Sequence, residues 1–283
     1  MEGGLCGGGT MLAEPVHFEN PPVVEVAMGL LFPPLQKLTG PHLGVLWDRW
    51  KSDFTQFGEA PPLSPTIELK QGSASPSIQL SISNLPPLPR TWYLSKDGQK
   101  LIQVQRDRYV YNWRKADAQT VYPQYHATFV QFMQRLVEFR GFLAEYELGS
   151  AEAIQYELIY VDHIAADASE AAVSPTQLAR RVFPDVAFRA PGRGRMVDPE
   201  GFEHRLIFGL PEELGRAHIR IQSAIRAESG QPLIIMESVA RGFGKAAGDE
   251  AMKEWFAMAH ESLISVFLGL TSHEVQKQWW GRA

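Results

Sequence analysis

The sequence predicts an α+β fold of two similar halves, each a curved antiparallel sheet covered by a long C-terminal helix. From Asp249 to Leu270, apolar residues recur every three or four positions, which indicates an amphipathic helix. Three strand-like runs precede it: Glu203 to Gly209, Arg216 to Ala227 and Pro232 to Arg241. The first half of the chain shows the same order of elements, β-α-β-β-β-α. In order of elements alone, this plan resembles that of helix-grip folds and of the TATA-box binding protein.

The first half opens with a strand and a helix. Val23 to Phe32 is rich in β-branched residues and follows Asn20-Pro21-Pro22, so it predicts a strand. Apolar residues at helical spacing from Leu43 to Phe57 predict an amphipathic helix. Farther along, Ile78, Leu80 and Ile82 alternate with polar residues, which predicts a half-buried strand.

A hairpin is predicted around Lys96-Asp97-Gly98-Gln99, because Asp-Gly supplies the positive φ that a tight turn requires. Its arms are Thr91 to Ser95 and Lys100 to Arg114. Within the second arm the apolar residues change parity, which predicts a β-bulge near Asp107. Apolar residues from Tyr125 to Leu143 then predict the long helix that closes this half.

The order begins again after Gly149. Ala153 to Ile164 predicts a strand, and Pro175 to Val182 a short helix with Ser174 as its N-cap. We therefore expect a flexible leader at residues 1–14, a first half at 15–149 and a second half at 150–283. The two sheets are expected to join edge to edge, or the two halves to pack face to face.

Composition excludes several classes of protein. A net charge of -5 gives no overall attraction to nucleic acid or to an acidic membrane, and no run of about 18 apolar residues is present to span one. Cys6 is the only cysteine, which excludes a disulfide framework or a thiolate metal site and favours the cytoplasm. Asp162 and His163 are neighbours on a strand and point to opposite faces, so they cannot share a metal ion. We expect no metal and no cofactor.

Two groups of residues are candidates for binding. Arg216, Arg220 and Arg226 share parity on one predicted strand, so a solvent-facing sheet surface there is a candidate nucleic-acid interface. Trp279 and Trp280 follow the last helix and either fit into a groove of this chain or anchor a protein partner. No Gly-x-Ser-x-Gly or other catalytic motif occurs, and His260 is expected to be a packed histidine.

Aromatic residues cluster in the first half. They are expected to fill its core, although they also suit the lining of a ligand cavity between helix and sheet. The cluster comprises Trp47, Trp50, Trp92, Tyr93, Tyr109, Tyr111 and Trp113.

Several short segments together resemble a sporadically distributed bacterial family of about 250–280 residues that has no assigned function. They are Asn20 to Val26, Tyr160 to Ile164, His260 to Phe267, Leu270-Thr271 and Trp280-Gly281-Arg282. The family starts with Pro-Pro-x-x-Glu and ends with Trp-Gly. It carries Asn at the position of Asp162. The resemblance implies a setting such as antiviral defence, a CRISPR-associated locus or a toxin–antitoxin system.

These observations favour a non-enzymatic, cytoplasmic interaction or regulatory module that binds another protein. Two alternatives stay open on the sequence alone. One is a nucleic-acid-binding protein that uses the arginine face, and the other is a small-ligand-binding protein or enzyme with a cavity between helix and sheet.

Overall fold

A computed structural model describes residues 17–68, 88–165, 174–186, 201–226 and 229–282. The chain is an α+β protein with nine strands and five α-helices in these residues. The strands are β1 Val23–Leu31, β2 Gln56–Ala60, β3 Arg90–Leu94, β4 Lys100–Gln105, β5 Arg108–Arg114, β6 Gln155–Ala165, β7 Glu203–Gly209, β8 Gly215–Ile225 and β9 Pro232–Gly242. The helices are α1 Gly40–Trp50, α2 Gln124–Glu145, α3 Pro175–Val182, α4 Asp249–Leu270 and α5 His273–Gln278, with a 3₁₀ turn at Pro211–Glu213.

All nine strands belong to one antiparallel sheet in the order β2-β3-β4-β5-β1-β6-β9-β8-β7. β1 lies at its centre and pairs with β5 on one side and with β6 on the other. The sheet is therefore continuous across the boundary predicted near Gly149.

The hydrophobic core lies between one face of the sheet and the two long helices. Tyr109 on β5 stacks on Phe139 of α2 with ring centroids 5.2 Å apart. Tyr156 on β6 packs against Trp255 of α4 at 5.4 Å. Because inward residues alternate along each strand, every second side chain faces these helices and the others face away.

Several local predictions are confirmed. The final helix has the predicted bounds, and its apolar stripe is buried from Met252 to Phe267. Gly98 has a φ of 72° at the turn between β3 and β4. The Ser174 hydroxyl accepts a hydrogen bond from the Gln177 backbone N–H and caps α3.

The predicted bulge near Asp107 is wrong. The run Lys100 to Arg114 is two strands, β4 and β5, joined by a tight turn at Arg106 and Asp107. Gln105 pairs with Arg108, so the apolar residues change parity because the chain reverses direction. β2 and α5 were not predicted. The strand predicted at Ile78 to Ile82 and the leader lie outside the described residues.

Candidate binding surfaces of the sheet

The sheet face that points away from α2 and α4 carries most of the polar strand residues; we call it the polar face. On β8, Arg216, His218 and Arg220 alternate with Ala217, Ile219 and Ile221, which are buried in the core. The same alternation places Glu157 of β6 and Arg241 of β9 side by side on the polar face.

An irregular segment, residues 61–68, crosses the polar face after β2; we call it the strap. The side-chain amide of Gln105 on β4 accepts the Leu63 N–H at 3.0 Å and donates to the Leu63 carbonyl at 2.9 Å. Gln155 on β6 accepts the Glu68 N–H at 2.7 Å and donates to the Thr66 carbonyl at 2.8 Å. Two glutamines therefore bind the backbone of the strap much as a neighbouring strand would.

The strap ends in a buried carboxylate. Glu68 forms an ion pair with Arg216 and lies 2.7 Å from Nε2 of His218. Burial raises the pKa of Glu68, but the hydrogen bonds from His218 and Arg216 outweigh it and hold the pKa below its usual 4.5. Arg216 therefore belongs to an internal ion pair.

Replacing Glu68 with Gln should lower the free energy of unfolding at pH 7 by about 1–2 kcal/mol, because both basic partners keep about a third of their surface in solvent. The folded-state pKa is depressed, so the contribution of Glu68 is complete above pH 4.5 and is lost as pH falls through the folded pKa. Chemical denaturation of the variant from pH 3 to 8 measures both effects. Glu59→Gln, an exposed change on β2, is the control; equal stability of the wild type and Glu68→Gln at pH 7 would contradict the assignment.

A second ion cluster is buried at the centre of the polar face. Glu157 binds Nε of Arg241 at 2.6 Å through one oxygen and lies 3.5 Å from Nη1 of Arg108 through the other. Arg108 and Glu157 are 7% and 5% exposed. Two guanidinium groups thus share a single carboxylate.

The three arginines predicted as a nucleic-acid face have different environments. Arg216 pairs with Glu68, and Arg220 forms a bidentate pair with Glu203 at 3.1 Å. Arg226 lies beyond the end of β8 and is exposed. The pKa of His163 is lowered mainly by burial and, to a smaller extent, by the positive charge of Arg226. Carboxylates of this chain already neutralise the first two, which weakens the nucleic-acid interpretation.

The partner-binding role predicted for Trp279 and Trp280 requires correction for Trp280. Its side chain is 4% exposed and packs against Phe18 and Phe267, because α5 turns the chain end back onto α4. Trp279 is half-buried, and the guanidinium of Arg181 lies 4.8 Å from its ring centre. The structure therefore has the other arrangement that the sequence allowed, a groove within this chain.

A buried polar cluster lies on the opposite face, beneath α2 and α4. The Tyr160 hydroxyl is 2.9 Å from Nδ1 of His260, and the His260 ring stacks on Tyr125 at 4.0 Å. Burial lowers the pKa of His260 to about 4. His260 is thus a packed histidine, as predicted.

Asp162, next to this cluster on β6, is 5% exposed, and burial raises the pKa of its carboxyl to about 7. Among the described residues no cation pairs with it. A buried carboxyl without a cationic partner is costly in its charged form.

Most of the first-half aromatic residues fill the core, whereas Trp92 is half-buried and lies on the polar face. Tyr93, Tyr109, Tyr111 and Trp113 are all buried, and the ring centroids of Trp50 and Tyr93 are 5.3 Å apart. Two surface depressions, of about 350 and 360 Å³, lie instead at loops, one near Leu35 and one near Pro89.

Among the described residues, no three His, Cys, Asp or Glu side chains are placed to hold a metal ion. In the same residues, no helix is long and apolar enough to cross a membrane.

β7 lies at one outer edge of the sheet and is its most exposed strand. Ile207 and Phe208 are 64% and 37% exposed, and within the described residues no strand pairs with the outer side of β7. Leu210 N–H donates to the Gly215 carbonyl, and the Phe202 carbonyl accepts from Ser223 N–H. Antiparallel alternation therefore points the backbone groups of even-numbered residues toward β8 and those of odd-numbered residues outward.

β7 is not among the binding sites predicted from the sequence. The signal was present in the composition of the strand, since Leu206, Ile207 and Phe208 form an apolar run that alternation cannot bury on one side. What the sequence lacked was the strand order that places this run at an edge. No family model, curated protein or solved structure matches the chain.

Proposed function

We propose that the protein is a non-enzymatic interaction module that binds another protein by adding a strand of that partner to the outer edge of β7. The observation that carries this proposal is the exposed β7 edge. Strand addition supplies main-chain hydrogen bonds to such an edge, while alternate side chains provide specificity.

The side chains of β7 suit this mode of binding. The outward backbone groups belong to Glu203, Arg205, Ile207 and Gly209, so they are spaced as an antiparallel or parallel partner strand requires. Ile207 provides apolar contact area on the polar face, and Phe208 provides it on the opposite face. Exposed apolar edge strands are otherwise avoided, because they pair without specificity.

We further propose that the fold is one plan used twice, in residues 15–149 and 150–283. The strand order supports this: β1, β5, β4 and β3 succeed one another on one side of the centre, as β6, β9, β8 and β7 do on the other. In chain order, a helix follows the first strand of each set, β1 or β6, and a long helix follows its last strand, β5 or β9. This plan resembles that of the TATA-box binding protein.

Cellular setting is part of the same proposal. The resemblance to a sporadically distributed bacterial family supports a role in antiviral defence, a CRISPR-associated locus or a toxin–antitoxin system. The single cysteine in 283 residues supports a reducing cytoplasm as the compartment.

The edge is tested by Arg205→Pro, which removes one outward N–H and leaves the β7–β8 hydrogen bonds in place. Quantitative capture of partners from the native host should lose at least one protein with this variant and retain it with Arg205→Ala. Ile207→Lys should lose the same protein, because a charged edge side chain opposes strand pairing.

Val137→Lys is the matched control, since Val137 is an exposed apolar residue on α2. Capture that is equal for the wild type and both edge variants would contradict the proposal. A dimer of this chain that Arg205→Pro dissociates would also contradict it, because the edge would then bind a second copy.

A further inference from the structure

The polar face carries more positive charge at one end than its carboxylates compensate. Gln105 on β4 pairs with Arg108 on β5. Thr91 on β3 pairs with Val104 on β4, so Arg90, one position before Thr91, lies beside Gln105. Neighbouring strands are about 4.8 Å apart, so the Cα atoms of Arg90 and Arg108 are separated by roughly 10 Å. Two arginine side chains can meet across that distance.

Several hydrogen-bond donors of these side chains have no acceptor among the described residues. They are Nε and Nη2 of Arg108, Nε of Arg90 and the indole Nε1 of Trp92, and all four atoms are buried. Arg90 lies with its guanidinium 5.4 Å from the Trp92 ring, which aligns these two groups on one strand. Four donors in one region of the face are unusual, since buried N–H groups are nearly always paired.

The charges show the same imbalance. Arg108 shares Glu157 with Arg241. The distance from Arg108 to the Glu157 carboxylate is 3.5 Å, longer than the 2.6 Å from Arg241. Within the described residues no carboxylate pairs with Arg90, and burial together with the positive charge of Arg108 lowers the pKa of Arg90. A buried excess of positive charge is unfavourable unless an anion accompanies it.

A surface depression lies beside Arg90 in the sheet. This depression, of about 360 Å³, is lined by Glu59, by Ala60, which is the cross-strand partner of Arg90, and by Pro89, which is its neighbour in the chain. Arg90 and Trp92 are only partly buried, whereas Arg108 is 7% exposed. The donors thus extend from the surface to the interior of the face.

We propose that Arg90, Trp92 and Arg108 form a binding site for a tetrahedral oxyanion, the phosphate group of a small molecule or free phosphate. Guanidinium groups match phosphate oxygens in pairs, and donors on neighbouring strands suit an anion with several oxygens better than a planar carboxylate. Arg90 pairs with no carboxylate among the described residues and Arg108 shares Glu157 with Arg241, so this region keeps positive charge that a phosphate monoester can balance. This site lies on β3–β5, at the other end of the sheet from β7.

The test is a titration of the full chain with inorganic phosphate at constant ionic strength, followed by calorimetry and by the indole N–H signal of Trp92. Saturable binding with a shift of that signal is expected, and Trp92→Phe assigns the signal. Arg90→Gln should weaken phosphate binding about tenfold or more, because it removes a charged donor. Arg220→Gln should leave binding unchanged, since Arg220 is on the same face but paired with Glu203.

The proposal would be overturned by no saturable binding of phosphate, by an unmoved Trp92 signal, by equal affinity in Arg90→Gln or by an equal response to acetate. A response to a single-stranded oligonucleotide without a response to inorganic phosphate would also overturn it. Competition by sulfate would support it, because sulfate has the same tetrahedral shape.

Discussion

Asp162→Asn should raise the free energy of unfolding at pH 8 by about 4 kcal/mol. Burial raises the pKa of Asp162 from 3.8 to about 7, and each pKa unit corresponds to about 1.4 kcal/mol. The charged form is the costly one, so the penalty is absent below pH 3.8, grows as pH rises through 4 to 7 and is complete above 7. Asn has nearly the same shape and never carries the charge.

Denaturant unfolding of both proteins between pH 5 and 8 measures the effect. The difference in stability should increase with pH and level off above 7. His260 works in the opposite sense: its lowered pKa makes the fold lose stability as pH falls from 6.5 toward 4. His260 is present in both proteins, so the difference isolates Asp162. Asp185→Asn, a change at an exposed position, is the control. If stability depended on pH in the same way in Asp162→Asn and Asp185→Asn, the burial argument would be contradicted.

Glu157→Ala should destabilise the protein by about 3–5 kcal/mol, because it leaves Arg108 and Arg241 without the carboxylate that they share. The guanidinium of Arg108 is almost fully buried and cannot reach water in compensation. Thermal and chemical unfolding at pH 7 measure the loss. Glu237→Ala is the control, since Glu237 lies on the neighbouring strand of the same face and is half-buried. A loss below about 1 kcal/mol for Glu157→Ala, or equal losses for both variants, would show that the cluster adds little.

The sequence predicted elements better than it predicted their arrangement. The stripe of apolar residues in α4 is a local property with a period of 3.6 residues, so the helix bounds were predicted correctly. The parity change at Asp107 was also detected, but a bulge and a two-residue turn produce the same change in the pattern. Only the pairing of Gln105 with Arg108 distinguishes them, and that pairing is a contact in space.

The candidate surfaces depend still more on distant contacts. Glu68 is 148 positions from Arg216, and nothing near either residue in the chain predicts their ion pair. The place of Trp280 near the chain end allowed either a groove of this chain or a protein partner, and only the packing of α5 and Phe18 shows that it is buried. The outward edge of β7 follows from the strand order, which the periodicity of one strand does not determine.

Amide hydrogen exchange of β7, measured with and without the captured partner, tests the central claim most directly. In the free protein, the N–H groups of Arg205 and Ile207 should exchange rapidly, while those of Leu206 and Phe208, which point toward β8, should be protected. Binding by strand addition should then protect Arg205 and Ile207. Unchanged exchange at these two amides, with new protection elsewhere on the chain, would contradict binding at the β7 edge.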